Sequence, residues 1–143
     1  MEIVIMGQPV AKQANKITCR GQKPRQYSSQ KLIETRYERD ILIQCKEEDH
    51  NPFTGAIRVD YQFIAARPKS HFGTGKNSHI LKPSAPAFWI VKKNDFDNML
   101  KFLNDRCSSF VWVDDCQIIV WTGEKRYCYH NEEARTILKV WAI

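Results

Sequence analysis

The residues best suited to chemistry fall in one stretch, Lys92-Lys93-Asn94-Asp95-Phe96-Asp97-Asn98-Met99-Leu100-Lys101, and in the Asp114-Asp115 pair downstream. Asp95 and Asp97 are one residue apart, and Lys101 follows Asp97 by one helical turn. Carboxylates crowded between apolar segments repel each other and lose hydration if buried. A divalent cation removes both costs, and an all-oxygen donor set suits Mg²⁺ or Mn²⁺. Asp95, Asp97 and Asp115, with Asp114 nearby, are therefore candidate metal ligands. A metal held this way organises water and stabilises charge on phosphoryl oxygens, which is the chemistry of phosphodiester cleavage. Lys101 could meet the scissile phosphate as a point charge, and Lys92 and Lys93 could hold flanking phosphates. Each motif alone has a plainer reading. An Asp-x-Asp is commonly a solvated helix start, an Asp-Asp a turn, and Asp97 with Lys101 an ordinary i, i+4 ion pair.

Bulk composition fits that chemistry. Twenty-two basic residues against 16 acidic ones give a formal charge of +6, which favours a polyanionic partner such as nucleic acid. At 143 residues, with 43% hydrophobic and 27% charged residues, the chain can bury a core and is not disordered. One domain over residues 1–143 is expected. The five cysteines are scattered and odd in number, with no Cys-x-x-Cys. This supports neither a zinc site nor a disulfide framework and suits a reducing compartment. The first residues lack the basic and long apolar regions of a signal peptide, and no apolar run is long enough to span a membrane.

The elements that must position the site follow from periodicity. Residues 3–6 read as a short buried strand. Residues 10–27 read as a basic loop containing Lys12, Lys16, Arg20, Lys23 and Arg25, broken by Gly21 and Pro24. A helix capped by Ser28 or Ser29 runs to about Glu48, with Ile33, Tyr37, Ile41 and Cys45 on one stripe. Residues 56–66 alternate as a half-buried strand, with Ile57, Val59, Tyr61, Phe63 and Ala65 on one face. A second long basic loop, 67–86, carries Arg67, Lys69 and Lys76, with His71 and His79 as solvated histidines rather than ligands. Phe88 to Val91 reads as a short strand delivering the acidic stretch. A second helix starts with Asp95 as its N-cap, where the electropositive terminus favours both carboxylates and phosphate. Residues 117–122 form another strand, Gly123 to Arg126 a basic loop or strand end, and residues 136–143 the last strand. The class is α/β, with a mixed sheet of four to five strands and two main helices. The core catalytic stretch spans residues 92–126, and Lys12, Lys16, Arg67, Lys69, Lys76, Lys92, Lys93, Lys125 and Arg126 are candidate DNA contacts.

Lys92-Lys93-Asn94-Asp95-Phe96-Asp97-Asn98-Met99-Leu100-Lys101, followed by Val111-Trp112-Val113-Asp114-Asp115-Cys116-Gln117, resembles the signature of the RusA-type Holliday junction resolvases. That pattern runs basic-x-Asp-apolar-Asp-Asn-apolar-x-Lys, then a helix, then a short apolar run and Asp-Asp-x-Gln. The opening strand with Gly7 and Pro9 is similar as well. The resemblance implies a small homodimeric Mg²⁺- or Mn²⁺-dependent endodeoxyribonuclease that binds four-way DNA junctions and nicks two opposing strands symmetrically. It implies catalytic and metal-binding roles for Asp95, Asp97 and Asp115, a catalytic role for Lys101, and an outer-shell place for Asp114. A two-fold dimer suits a substrate with its own pseudo-two-fold symmetry. Two rivals remain: a nuclease of this fold acting on flaps or other branched DNA, and a junction-binding protein without catalysis. The compartment would be cytoplasmic or nucleoid-associated in a bacterial or phage setting, and nuclear or a viral factory in a eukaryotic or viral one. The sequence departs from the family in Asn94, which replaces the usual proline, and in Cys107-Ser108-Ser109-Phe110, which lacks an expected glycine and so implies a differently shaped loop. Residues 67–86 are also longer than in the compact bacterial members.

Overall fold

The alternation of residues 56–66 becomes the central strand of a mixed sheet. In this computed structural model, which describes residues 1–143 except 20 and 22, strand β4 spans Ile57–Ala65. Ile57, Val59, Tyr61 and Phe63 are buried while Arg58 is exposed, the period-2 signature of a strand with one covered face. The other strands are β1 (Glu2–Met6), β5 (Ile118–Tyr127) and β6 (Arg135–Ala142), in the order β1-β6-β4-β5. β6 pairs antiparallel with both β1 and β4, whereas β4 and β5 are parallel, so the sheet is mixed as expected. Two short strands, β2 (Lys16–Thr18) and β3 (Arg25–Tyr27), form a separate antiparallel pair. The helices are α1 (Lys31–Glu47) and α2 (Phe96–Cys107).

The chain divides into two compact units, each assembled from separate segments. The sheet unit comprises residues 1–9, 57–92 and 118–143, and the helical unit residues 10–56 and 93–117. In the sheet unit, Ile3, Ile5, Leu138 and Val140 are buried along with the inward residues of β4. In the helical unit, Tyr37 of α1 meets Phe102 of α2 edge-to-face at 5.1 Å between ring centres. Arg106 of α2 bonds Glu38 of α1 at 2.7 Å. The buried side of α2 is Met99, Phe102, Leu103 and Cys107, and Asp97 and Lys101 lie on the opposite, exposed side. Among the described residues, no helix is long and apolar enough to cross a membrane.

Several local expectations are corrected. Residues 10–27 are not simply a loop, because the β2–β3 pair lies within them; Arg20 falls outside the described residues. Phe88–Val91 is not a strand: Phe88 alone bridges Arg126. Of the two readings given to Gly123 to Arg126, loop or strand end, the strand end holds: β5 runs through them. Residues 67–86 contain two 3₁₀ turns, Lys69–His71 and Gly75–Asn77, drawn together by a Phe72–Leu81 bridge. Neither Ser28 nor Ser29 caps α1; Gln30 holds the N-cap position without a side-chain cap bond. The Ser28 hydroxyl instead donates to Glu34 at 2.7 Å and accepts the Gln30 N–H. Gln30 is buried because its side chain accepts the Gln13 N–H and donates to the Ala11 carbonyl.

Candidate active site

The acidic stretch enters α2 as its spacing predicts. Asp95 is the N-cap, in extended backbone, and its Oδ1 accepts the Asn98 N–H at 2.9 Å. The Asn98 side-chain amide donates to Asp95 Oδ2 at 3.2 Å, so one asparagine fixes both oxygens of the capping carboxylate. Asp97 follows in the first turn, where its charge complements the helix dipole. Lys101 Nζ donates to Asp97 Oδ2 at 2.7 Å. The hydrogen bond and charge of Asp97 hold the Lys101 ammonium above its ordinary pKa, so it stays protonated. Both side chains of this pair are largely exposed, 72% for Asp97 and 59% for Lys101, so a ligand can reach them. Lys12 runs alongside: its N–H bonds the Asn98 carbonyl, and its ammonium bonds Asp105 at 2.5 Å.

The second acidic block is built differently. Asp115 opens a 3₁₀ turn, Asp115–Gln117, and its Oδ1 accepts two bonds of 2.8 Å each, from Trp112 Nε1 and Ser108 Oγ. Trp112 is fully buried and Ser108 is the C-cap of α2, so Asp115 is anchored at that end of the helix. Gln117 locks the turn by accepting the Asp114 N–H and donating to the carbonyls of Phe53 and Gly55. Asp114 turns inward on its own loop. Its Oδ1 accepts the Cys116 N–H at 2.8 Å, and this bond lowers its pKa. That is a turn-forming role. In the loop that lacks the expected glycine, Ser109 itself adopts the left-handed conformation, with φ of 72°, just past the C-cap where glycine is usual.

The two blocks do not meet within one chain. The 12 residues of α2 rise roughly 1.5 Å each, so Asp95 and the Ser108–Asp115 anchor stand about 18 Å apart along the axis. Ligand oxygens of one Mg²⁺ lie only about 2 Å from the ion. The donor chemistry of Asp95, Asp97 and Asp115 fits a hard divalent cation, but this arrangement does not let all three share one. Among the described residues, no three carboxylate, histidine or cysteine side chains are gathered closely enough to hold a metal. The reason is local: Trp112 and Ser108 fasten Asp115 to the far end of the helix that Asp95 begins.

The candidate DNA contacts divide by their partners. Lys92 and Lys93 lie exposed on a 3₁₀ turn just before Asp95, and Lys16, Lys69 and Lys76 are exposed as well. Arg67 instead braces its own unit, donating to the carbonyls of Cys128 and Pro86 at 2.7 Å each. Lys125 lies over the Trp89 ring at 5.6 Å. Arg126 is clamped by Glu132. Sequence reasoning singled out neither Trp112 as the residue that holds Asp115 nor Gln117 as the lock of its turn. A tryptophan two residues before an Asp-Asp pair was the available signal.

An α/β fold with a capped, acid- and lysine-bearing helix start in a basic chain defines a candidate phosphodiester-cleaving enzyme. The model of the family described as endodeoxyribonuclease RusA matches residues 6–140. The chain belongs to the RusA endodeoxyribonuclease family. Membership places it among DNA endonucleases, and the activity this family implies is Holliday junction resolution. No curated protein matches the chain.

Proposed function

We propose that this protein is a Mg²⁺- or Mn²⁺-dependent resolvase that works as a homodimer and makes paired, symmetric nicks across a four-way DNA junction. The observation that carries the reading is the exposed Asp97–Lys101 pair beside Asp95 at the electropositive start of α2, inside a family match spanning residues 6–140. A bound divalent cation would supply Lewis-acid stabilisation of the phosphoryl oxygens and a more acidic water. Asp95 and Asp97 would hold it. Lys101, protonated and exposed beside them, would direct its charge at a phosphoryl oxygen. Lys92 and Lys93 hold the flanking backbone, and Asn98 keeps Asp95 oriented throughout.

The dimer has a structural rationale. β5 is an edge strand of the sheet, and Ile119, Val120 and Trp121 on it are exposed, at 60%, 42% and 53%. A long apolar edge is a template for pairing with another chain. Asp115 precedes that strand by three residues, so an interface along β5 carries the second acidic block of each subunit towards the other. In this reading Asp115 completes the α2 start of the opposite subunit, which answers the separation of the two blocks within one chain.

Mixed dimers test this directly. Asp97→Asn and Asp115→Asn proteins should each be inactive. A heterodimer of the two contains one intact site if Asp115 acts across the interface, so mixing should restore single nicks on a four-way junction. A mixture that stays inactive would show that Asp115 serves its own chain or none. Parallel assays on three-way and linear DNA separate junction resolution from general branched-DNA cleavage.

A further inference from the structure

The turn between β5 and β6, in the sheet unit, holds an aromatic ring that the catalytic reading leaves without a task. Tyr129 lies with one face against the Arg126 guanidinium, 4.0 Å from the ring centre. The Arg126 side chain is only 11% exposed, and its guanidinium is gripped two-pronged by Glu132, at 2.6 and 2.9 Å. Glu132 also accepts the Tyr129 N–H at 2.8 Å and a bond from Arg135. The hydrogen bond from Arg126 pushes the Glu132 carboxyl down to about 2, so it is ionised at any working pH. The turn is thus braced from both sides, yet Tyr129 remains 63% exposed. An aromatic ring backed by a cation on one face and accessible elsewhere, on a turn fixed in advance, loses little freedom when something flat stacks on it.

Tyr129 also lines a cavity of about 800 Å³ together with Phe72, His79, Leu81, His130 and Glu133. Two aromatic rings and two imidazoles suit a planar, π-faced guest. Glu133 on its lining disfavours a phosphate, Glu132 has its charge matched by Arg126 and Arg135, and Arg67, also on the lining, is already committed to the carbonyls of Cys128 and Pro86. A nucleobase satisfies both conditions, and the cost of unstacking one is smallest where a duplex is already interrupted. We propose that this cavity receives an unstacked nucleobase of branched DNA, with Tyr129 as its stacking platform. The proposal deepens the reading of the protein as a junction enzyme and rests on it for the source of the base.

The test is photocrosslinking of the full chain to four-way junctions carrying 5-iodouracil either at the branch point or in mid-arm, in EDTA to prevent cleavage. Peptide mapping should find the branch-point label on Tyr129 or Phe72 and the mid-arm label on neither. Tyr129→Phe should keep both the crosslink and the affinity. Tyr129→Leu, at an exposed position, should fold normally and weaken junction binding about tenfold without changing binding to linear duplex. Branch-point label found only elsewhere, or Tyr129→Leu binding junctions as tightly as the parent, would overturn the proposal. A parent protein that binds junctions no better than linear duplex would instead remove the junction reading. In that event the same label in a single-stranded overhang decides: crosslinking to Tyr129 upholds the base pocket, and none refutes it.

Discussion

The two ends of α2 both carry exposed carboxylates, but on different anchors. At its start, Asp95 and Asp97 sit in solvent, held by one asparagine and one lysine that are themselves exposed or partly so. Past its end, Asp115 is pinned by a fully buried tryptophan and by the helix C-cap. A carboxylate whose partner is an exposed lysine can exchange that partner for a cation at little cost. A carboxylate fastened to a buried indole keeps its position, and whatever uses it must come to it. The helix start is thus suited to capture, and the helix end to presenting one acid at a fixed point.

The largest effect should come from the capture end. Asp97→Asn and Asp95→Asn should each reduce junction cleavage by roughly 10³-fold or more, the scale of losing an essential charge in a transition-state contact. Asparagine still caps a helix, so Asp95→Asn should keep the native melting temperature and junction binding, read by thermal melting and gel shift. Removing a carboxylate could also tighten binding by relieving repulsion from phosphate. Normal cleavage by Asp97→Asn would erase the distinction between the two ends and move the chemistry elsewhere.

Lys101→Ala sharpens the comparison by asking what the lysine does. If it only neutralises Asp97, a charge that a metal replaces, cleavage should be near normal in saturating Mg²⁺. If it contacts the scissile phosphate, cleavage should fall about 10²-fold at every Mg²⁺ concentration, with junction affinity nearly constant. The second result is expected. Titrating Mg²⁺ against the single-turnover rate separates the two.

What could be read from residues alone was local. Asp95 as N-cap and the i, i+4 pair of Asp97 with Lys101 need only helical spacing, and both stand in the structure. β4 was legible because one covered face imposes strict alternation over Ile57, Val59, Tyr61 and Phe63. The β2–β3 pair was not, because three-residue strands with mostly exposed side chains leave no period to detect. The extension of β5 through Gly123 to Arg126 stayed open between loop and strand end for a similar reason: an exposed edge strand has no apolar alternation to obey. The capping of α1 was misassigned because Ser28 has a competing partner, Glu34, six residues on. The family signature placed the acidic blocks in sequence but carried no distance between them. That distance is set by Trp112 and Ser108, through contacts that spacing does not encode.

The smallest predicted effect lies at the presenting end, in the residue that took a glycine's conformation. Ser109 holds φ of 72°, where a Cβ crowds the backbone by an amount on the order of 1 kcal/mol. Ser109→Gly removes that strain but loosens the unfolded chain, which returns part of the gain. The net should be a stabilisation of about 0.5 kcal/mol, near 1–2 °C in melting temperature for a chain this size. Cleavage should not change, because Asp115 is held by Trp112 and Ser108 rather than by the Ser109 side chain. If Ser109→Gly instead slowed cleavage while raising stability, the stiffness of this turn would itself be part of how Asp115 is presented, and the fixed end of α2 would owe its rigidity to backbone strain as well as to the buried indole.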